Sequence, residues 1–298
     1  MEYIVKPEEE GRKLLSVLRG SMSVSWSSVK KARWHGTIMV NGEEAHTDRI
    51  VRAGDRVSIA WEPALPVYRP EPCELPIRIA WEDEHYLAVD KPAGIASQSS
   101  RNHPDDSLEN ALFAREGCPE HFIYRPVNRL DKGTGGLMLV ARSAHAQHLA
   151  QQALHTPEFR RRYLAWTDGI PDRQAGRLDF PILRAEGATV RRVVSPEGKP
   201  AATRYRVLEK RGSGALVLLE LETGRTHQIR VHLSHIGCPV RGDFLYGTER
   251  PEEFPGCFAL HSAALCLKHP LTGETLRLTS LPPWAEDMNP DVLFMDMH

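Results

Sequence analysis

A segment near the middle of the chain, Asn128-Arg-Leu-Asp-Lys-Gly-Thr-Gly-Gly136, has residue types that could carry out chemistry. Asp131 lies at the edge of a glycine-rich loop before an apolar run, and glycine allows tight turns and close approach of a ligand to the backbone. A carboxylate held there can act as a nucleophile or a base. Arg129, two positions away, would face the same side of an extended segment. The alternative is a charged surface turn, since short motifs are weak signals.

A second segment, Thr223-Gly-Arg-Thr-His-Gln-Ile-Arg-Val-His232, concentrates cationic side chains. We predict a helix from near His227 to Ile236, which would place His227 and Arg230 on one face. An arginine there can pair bidentately with a carboxylate and fix its orientation. The alternative is a solvated basic end of a helix.

A zinc site built from His227, His232 and His235 is the rival reading of this segment. His227 and His232 are five positions apart, which suits one helical face poorly, and the chain has no His-Glu-x-x-His pattern. We therefore expect no metal site.

A third segment, Phe159-Arg-Arg-Arg-Tyr-Leu-Ala-Trp166, reads as a strand. Consecutive arginines followed by an aromatic residue suit a nucleic-acid backbone with a stacking platform. The alternative is an edge strand whose Tyr163 and Trp166 belong to the core.

Composition limits the class of protein. The chain has 298 residues, 41% of them apolar and 26% charged, which suits a globular protein with one large and one small domain. The formal net charge of -1 argues against a simple basic nucleic-acid binder, although a local basic groove would suffice for an RNA enzyme.

Cysteine usage and hydropathy indicate the compartment. The five cysteines are odd in number and lack a Cys-x-x-Cys pair, so we expect reduced thiols rather than disulfides. The N-terminus has no apolar signal region, and no apolar run approaches the ~20 residues of a membrane span. We predict a cytoplasmic protein without a membrane partner.

The pattern along the chain predicts four regions. Residues 9–62 read as a small α/β unit with two helices and a hairpin at Asn41-Gly42. Residues 63–74 are proline-rich and read as a stiff linker. Residues 75–285 alternate β-like runs with few helices, which indicates an α+β domain with a mixed or antiparallel sheet. Residues 286–298 are assigned to a C-terminal tail.

Together these segments resemble the RluA family, the large-ribosomal-RNA type of RNA pseudouridine synthase. The resemblance covers about residues 75–285 and follows the family's order of motifs. The matching segments are Asp90-Lys-Pro-Ala-Gly94, Arg129-Leu-Asp-Lys-Gly-Thr-Gly-Gly136, Arg161-Arg-Tyr163, Gly224-Arg-Thr-His-Gln-Ile-Arg-Val-His232, Gly242-Asp-Phe-Leu-Tyr-Gly247 and Leu260-His-Ser-Ala-Ala-Leu265. The family usually has His at Asn128, Ser at Gly135 and Lys at Arg161.

Residues 9–62 resemble an S4-type RNA-binding module. The likeness rests on the Gly-Arg-Lys-Leu-Leu opening, Ser27-Ser-Val-Lys-Lys31, Val40-Asn-Gly42 and Ala53-Gly-Asp-Arg-Val57. We expect RNA contacts from a local patch at Lys30, Lys31 and Arg33.

The resemblance implies isomerisation of uridine to pseudouridine in RNA, with large-subunit rRNA the first expected target and tRNA the second. Catalytic roles fall on Asp131, Tyr163 and Arg230. Contacts to the target nucleotide or RNA fall on Arg129, Arg225, His227, Gln228 and Leu260. An isomerisation needs no redox cofactor, ATP or metal, and we expect none. A monomer is the default expectation.

Two other functions are weighed against this one. A binding-only ribosome assembly factor could share the fold, although the intact Asp131, Tyr163 and Arg230 argue against it. A glycoside hydrolase could use Asp131 as nucleophile, but it needs a second carboxylate about 5 Å away, and the motifs supply none.

Overall fold

An antiparallel sheet with two helices occupies the N-terminal part of the computed structural model, which describes residues 1–61, 69–154 and 156–297. The elements are β1 (Glu2–Ile4), α1 (Leu14–Arg19), α2 (Trp26–His35), β2 (Gly36–Val40), β3 (Glu43–Glu44) and β4 (Arg56–Trp61). The strand order is β1-β4-β2-β3. Because β1 pairs with β4, this unit begins before residue 9, where the sequence placed its start.

Local sequence accounts for the ends of these elements. Ser25 caps α2 by accepting a hydrogen bond from the Ser28 amide, and the helix ends before Gly36. Asn41 and Gly42 have φ of 56° and 85°, so they make the predicted tight turn between β2 and β3. The unit has its own apolar core, formed by residues that include Leu14, Leu18, Val29, Val40 and Val57.

A nine-stranded mixed sheet organises the rest of the chain. Its strands are β5 (Arg78–Glu82), β6 (Tyr86–Lys91), β7 (Gly135–Ala141), β8 (Arg160–Asp168), β9 (Ala175–Asp179), β12 (Ala202–Arg211), β13 (Gly214–Leu221), β14 (Leu260–Lys268) and β15 (Thr275–Thr279). A separate hairpin joins β10 (Ile182–Arg184) to β11 (Arg192–Val194), and the helices are α3 (Leu108–Arg115), α4 (Ala144–Ala153) and α5 (Gln228–His235).

The order of the main sheet is β5-β6-β7-β14-β8-β13-β12-β9, with β15 paired to β14. β7 and β14 run parallel and the other pairs antiparallel. The predicted α+β fold with a mixed sheet is therefore confirmed. β7 is apolar and buried along its whole length, as expected of a strand covered on both faces.

The sequence assigned residues 63–74 to a linker and residues 286–298 to a C-terminal tail. Residues 63–68 of the linker lie outside the described residues. The C-terminal segment 286–297 is packed rather than loose, because Leu293 and Met297 are buried against Leu164 and Leu218. Arg162 fixes it further, since its Nη1 donates to the Leu293 and Met295 carbonyls at 2.7 Å each.

Among the described residues, no helix combines the length and apolar character needed to cross a bilayer.

Candidate active site

Asp131 lies in the loop that leads into β7, at the mouth of a cavity of about 70 Å³. Its Oδ2 accepts a hydrogen bond of 3.0 Å from Arg230 Nη1, and 27% of its side chain is exposed. Within the described residues, no hydrogen bond reaches Oδ1. One carboxylate oxygen is thus held, and the other is available to a molecule in the cavity.

Arg230 is itself held by a second, buried carboxylate. Its Nε and Nη2 donate to the two oxygens of Asp243 at 2.6 and 2.8 Å. Asp243 is fully buried and also accepts from the Leu245 and Tyr246 amides. The guanidinium therefore connects a buried carboxylate to a solvent-accessible one, in the bidentate geometry that arginine favours.

Three aromatic rings lie close to the Arg230 guanidinium. The distances from Cζ to the ring centroids are 4.3 Å for Phe258, 5.0 Å for Tyr246 and 5.7 Å for Phe244. Burial opposes the positive charge, but hydrogen bonds and charges from Asp243 and Asp131 outweigh it and raise the pKa of Arg230. The side chain is therefore a cation that Asp243 holds beside Asp131.

His227 begins α5 in a left-handed conformation, with φ of 57°. Its Nδ1 lies 2.8 Å from the Tyr246 hydroxyl, and its Nε2 lies 3.8 Å from Asp131 Oδ2. Burial, with the positive charges of Arg230 and Arg192, lowers the pKa of His227 although Asp131 acts in the opposite direction. Burial therefore favours the neutral form of the ring.

The tautomer of His227 follows from its neighbour. The Tyr246 hydroxyl already accepts the Arg192 amide, which leaves its own hydrogen to donate to Nδ1. On this assignment Nε2 carries the proton and points it at the Asp131 carboxylate. Sequence placed His227 beside Arg230 on one helical face, and the structure brings both to Asp131.

Tyr163 on β8 and Leu260 on β14 line the same cavity as Asp131. Both side chains are buried, with 5% exposed. Burial raises the pKa of Tyr163 above its usual value, an effect that Arg161 and Ser262 only partly offset. The phenol therefore stays protonated at neutral pH, which suits a stacking wall better than a general base.

The other predicted contact residues divide into two kinds. Arg129 and Arg225 are exposed and line the cavity, and Arg225 Nε donates to the Pro200 carbonyl at 3.0 Å. Gln228 is buried, and its amide bonds Thr223, Arg225, Ala202 and Thr203. This internal bonding supports a positioning role for Gln228 rather than the predicted RNA contact.

The predicted basic patch lies on α2, in the N-terminal unit. Lys30 and Arg33 are exposed and Lys31 is half-buried. Lys30 Nζ lies 5.4 Å from the centroid of the Trp26 ring, and Trp34 on the same helix is 78% exposed. The patch thus combines cations with aromatic surface, and its S4-like role stays a prediction.

The run of arginines at 160–162 does not form the continuous basic strip that the sequence suggested. Arg160 is exposed, Arg161 is buried towards the cleft, and Arg162 pairs with Glu220. Strand alternation separates them, because neighbouring side chains of a strand face opposite ways. β8 is also central, between β14 and β13, so the edge-strand alternative is wrong.

Sequence reasoning missed Asp243 and Lys91 as parts of the site. Lys91 is 1% exposed, and its Nζ donates to the carbonyls of Pro92, Ile95 and Lys132. It therefore ties the loop after β6 to the loop of Asp131, and burial lowers its pKa to about 7. The turn motifs around both residues were visible, but their partners lie far away along the chain.

Gly135 stands where the family usually has Ser, and the space around it is tight. A Cβ atom at this position would lie 3.1 Å from His261 Nδ1 and 3.3 Å from the Ala93 amide nitrogen. The neighbours would have to move by a few tenths of an ångström to accept a larger residue. The absence of a side chain at Gly135 therefore suits the close approach of β14 to β7.

No group of three or more side chains in the described ranges has the arrangement of a metal site.

Comparison with solved structures defines the class of protein. The human RNA Pseudouridylate Synthase Domain Containing 1 matches with a TM-score of 0.60 and 26% identity, over 74% of this chain and 89% of that one. The human RNA Pseudouridylate Synthase Domain Containing 4 matches with a TM-score of 0.56. The fold that carries Asp131 and Arg230 is that of the pseudouridine synthases.

Comparison of sequences gives the family. The profile of the RNA pseudouridylate synthase family matches residues 85–235. The ribosomal large subunit pseudouridine synthase D of Xanthomonas campestris pv. campestris is 32% identical over 96% of this chain and 90% of its own. The enzyme of the same name from Yersinia pestis is 39% identical over 73% of this chain and 70% of its own. This chain belongs to the RNA pseudouridine synthase family, which consists of isomerases, and the predicted RluA-type resemblance is confirmed.

Proposed function

We propose that the protein isomerises specific uridines of large-subunit rRNA to pseudouridine, with Asp131 as the catalytic nucleophile or base. The observation that carries the proposal is the asymmetry of the Asp131 carboxylate. Its Oδ2 is held by Arg230, and its Oδ1 accepts no hydrogen bond from the described residues. The rRNA target is supported by the names of the relatives from Xanthomonas and Yersinia.

The chemistry begins with extraction of the target uridine from its stack, because the enzyme must reach the sugar and the base. Asp131 then assists departure of the uracil from C1′. It either bonds to C1′ as a nucleophile or removes a sugar proton to give a glycal. The N1–C1′ bond breaks and the uracil rotates. As the C5–C1′ bond forms, the Asp131–C1′ bond breaks in the first case, and in the second the glycal takes back the proton that Asp131 removed. C5 loses its proton and N1 gains one, so the net change is an isomerisation.

The neighbours of Asp131 have separate roles in this proposal. Arg230 orients the carboxylate and balances its charge through the reaction. Tyr163 stacks on the uracil as it rotates, and Leu260 provides an apolar wall under the base. Arg129 lies exposed at the mouth of the cavity, where it can hold the space that the flipped nucleotide leaves.

Hydrolysis of a small glycoside is a poorer fit to the same site. Asp131 is the only acidic side chain among the described residues that line the cavity and the adjoining cleft. A retaining glycosidase needs a second carboxyl about 5 Å from the first. Asp243 does not serve, because it is fully buried and occupied by Arg230.

The proposal includes the setting in which the protein works. We propose that it acts in the cytoplasm as a monomer, on RNA bound by both the catalytic cleft and the N-terminal unit. The S4-like character of that unit rests on sequence motifs and on the cations of α2.

Replacement of Asp131 tests the catalytic assignment. A strain carrying only Asp131→Asn or Asp131→Ala should lose pseudouridine at defined uridines, because loss of a nucleophile or base lowers the rate by about 10²–10⁴-fold. Pseudouridine mapping of rRNA and tRNA is the measurement, and Asp105→Asn, at an exposed aspartate, is the control. Unchanged modification at every site would refute the assignment, and loss confined to tRNA would correct the substrate.

A further inference from the structure

A larger part of the cleft extends from Asp131 towards α4, with a volume of about 710 Å³. Asn128, Arg161 and Gly224 are among the residues that line it. Leu260 lines the small cavity but not this extension. The base-binding wall is thus in the small cavity, and the extension offers room for the adjoining nucleotide.

Arg161 lies at this extension with its charge unbalanced. It precedes Tyr163 by two positions on β8, so both side chains face the same side of the sheet. The residue is only 6% exposed, yet within the described residues its guanidinium makes no hydrogen bond or ion pair, and its Nε is buried without a partner. A Cβ atom at Gly224 would lie 3.2 Å from Arg161 Nη1, so glycine there leaves the guanidinium its space.

Asn128 supplies a second unused donor in the same cleft. It is 6% exposed, and its Oδ1 accepts the Leu139 amide at 2.9 Å. This bond fixes the orientation of the amide, because Oδ1 must face Leu139. Its Nδ2 is buried and has no partner among the described residues.

Two such groups in one cleft indicate a ligand. Buried polar groups in proteins are almost always hydrogen-bonded, and a buried charge without a partner is especially costly. Arginine offers only donors, and the free end of Asn128 does too. The missing partner must therefore be an acceptor, and the charge of Arg161 selects an anionic one.

We propose that Arg161 and Asn128 bind the phosphate that adjoins the target uridine, an inference that rests on the proposed function. The nucleotide backbone supplies an anionic acceptor beside the flipped base, whereas a neutral uracil carbonyl would leave the charge of Arg161 unbalanced. Asp131 is the one acidic side chain among the described residues that line this extension, and it is already paired with Arg230. Arg160 and Arg162 do not share the role, since one is exposed and the other is neutralised by Glu220.

Salt dependence of RNA binding tests the charge. A single-stranded oligouridylate is the probe, and fluorescence anisotropy measures its binding to wild type, Arg161→Met and the control Arg160→Met. Each phosphate contact contributes about 0.7 to the slope of log K against log salt for single strands. Arg161→Met should lower the slope by about that amount, Arg161→Lys should restore it, and Arg160→Met should leave it unchanged. An equal slope in wild type and Arg161→Met would overturn the proposal.

Chemical stability separates binding from a structural role. If Arg161 served the fold, Arg161→Met would unfold at lower urea concentration than wild type. We expect its midpoint to be unchanged or higher, because an apolar residue replaces an unpaired buried charge. Asn128→Asp keeps the acceptor for Leu139 but replaces the free donor with a carboxylate oxygen, so it should weaken binding more than Asn128→Ala.

Removal of one phosphate charge locates the contact. In an RNA carrying a mapped target uridine, a methylphosphonate at the adjoining linkage should lower kcat/KM of wild type about tenfold to a hundredfold. The kcat/KM of Arg161→Met should fall little further when the same methylphosphonate is introduced, because this variant already lacks the phosphate contact. If the methylphosphonate lowered kcat/KM by the same factor in wild type and in Arg161→Met, Arg161 would contact another part of the RNA. If Asp131 variants leave modification intact, the proposed function fails, while the oligouridylate slopes still decide whether Arg161 binds phosphate.

Discussion

The Arg230 guanidinium joins two carboxylates that differ in exposure. Asp243 is fully buried, whereas 27% of the Asp131 side chain is exposed. Asp243 takes two of the guanidinium donors and leaves Nη1 for Asp131. The position of the candidate nucleophile is therefore set by a residue that does not reach the cavity.

Substitution of Asp243 tests this positioning. Asp243→Asn should lower kcat about tenfold to a hundredfold with little change in KM, because small misplacement of a catalytic group has effects of that size. Single-turnover kinetics on in vitro transcribed rRNA would measure it. A change confined to KM would contradict a positioning role.

The free energy of unfolding provides a second test of the Asp243–Arg230 pair. Asp243→Ala should lower the free energy of unfolding by about 3–5 kcal/mol, because it leaves a buried arginine without its main partner. The control is Glu253→Ala, which removes a surface partner of Arg241 that is 43% exposed and should cost less than about 1 kcal/mol. Urea denaturation distinguishes the two.

The sequence could predict part of this chemistry at the level of single residues. Asp131 and Arg230 were recognisable from residue type and order of motifs, and pairing of this arginine with a carboxylate was expected. Asp243 was not recognised, because its partner Arg230 is 13 positions away and the contact depends on packing. The free donors of Arg161 and Asn128 were also invisible, since only coordinates show which groups lack partners.

At the level of elements, the loop of Asp131 leads into β7 at the point where β7 pairs with β14. Gly135 and Gly136 pair with His261 and Ser262 in parallel register, at the start of β7. Gly136 has φ of +102°, and a Cβ atom there would collide with the main chain of Ser262. The close approach of these strands therefore requires glycine at this position.

Gly136→Ala is expected to disrupt this contact. It should lower the free energy of unfolding by about 3 kcal/mol or more, because backbone strain and overlap add. Gly212→Ala is the matched control, since Gly212 also has positive φ, +59°, but a Cβ atom there would meet no described atom within 4 Å. Gly212→Ala should lower the free energy of unfolding by only about 1–2 kcal/mol. An equal decrease in the two variants would argue against the steric explanation.

Sequence predicted the beginnings of elements better than their partners. Ser25 and Ser143 cap α2 and α4, a role for which serine is favoured by its side-chain oxygen. The alternation of Arg160 to Arg162 across β8 followed from strand geometry, but burial of one and pairing of another depended on neighbouring strands. Nothing local indicated that β14 would lie between β7 and β8.

At the scale of the whole molecule, RNA binding is expected to involve the N-terminal unit as well as the cleft. The net charge of -1 shows that any RNA surface must be local. The cations and exposed tryptophans of α2 are the surface that we propose for this role.

Charge reversal on α2 tests this expectation. A Lys30→Glu, Lys31→Glu, Arg33→Glu variant should raise KM about tenfold or more and reduce its salt dependence, while kcat at saturating RNA is retained. Steady-state kinetics on rRNA transcripts measures both. Arg52→Glu with Arg56→Glu, at exposed positions of the same unit, should change KM less than about twofold. A loss of kcat alone would show that α2 does not act through binding.

The central position of β14 also has a consequence for how the chain folds. β7 and β8 close against a strand that begins at Leu260, and the Asp131–Arg230 hydrogen bond spans 99 positions. Contacts between distant parts of a chain form slowly, because loop closure precedes the gain from pairing. Until β14 arrives, β7 and β8 each present an unpaired apolar edge, which can join the same edge of another molecule. Refolding should therefore be slow, and its yield should fall as the protein concentration rises.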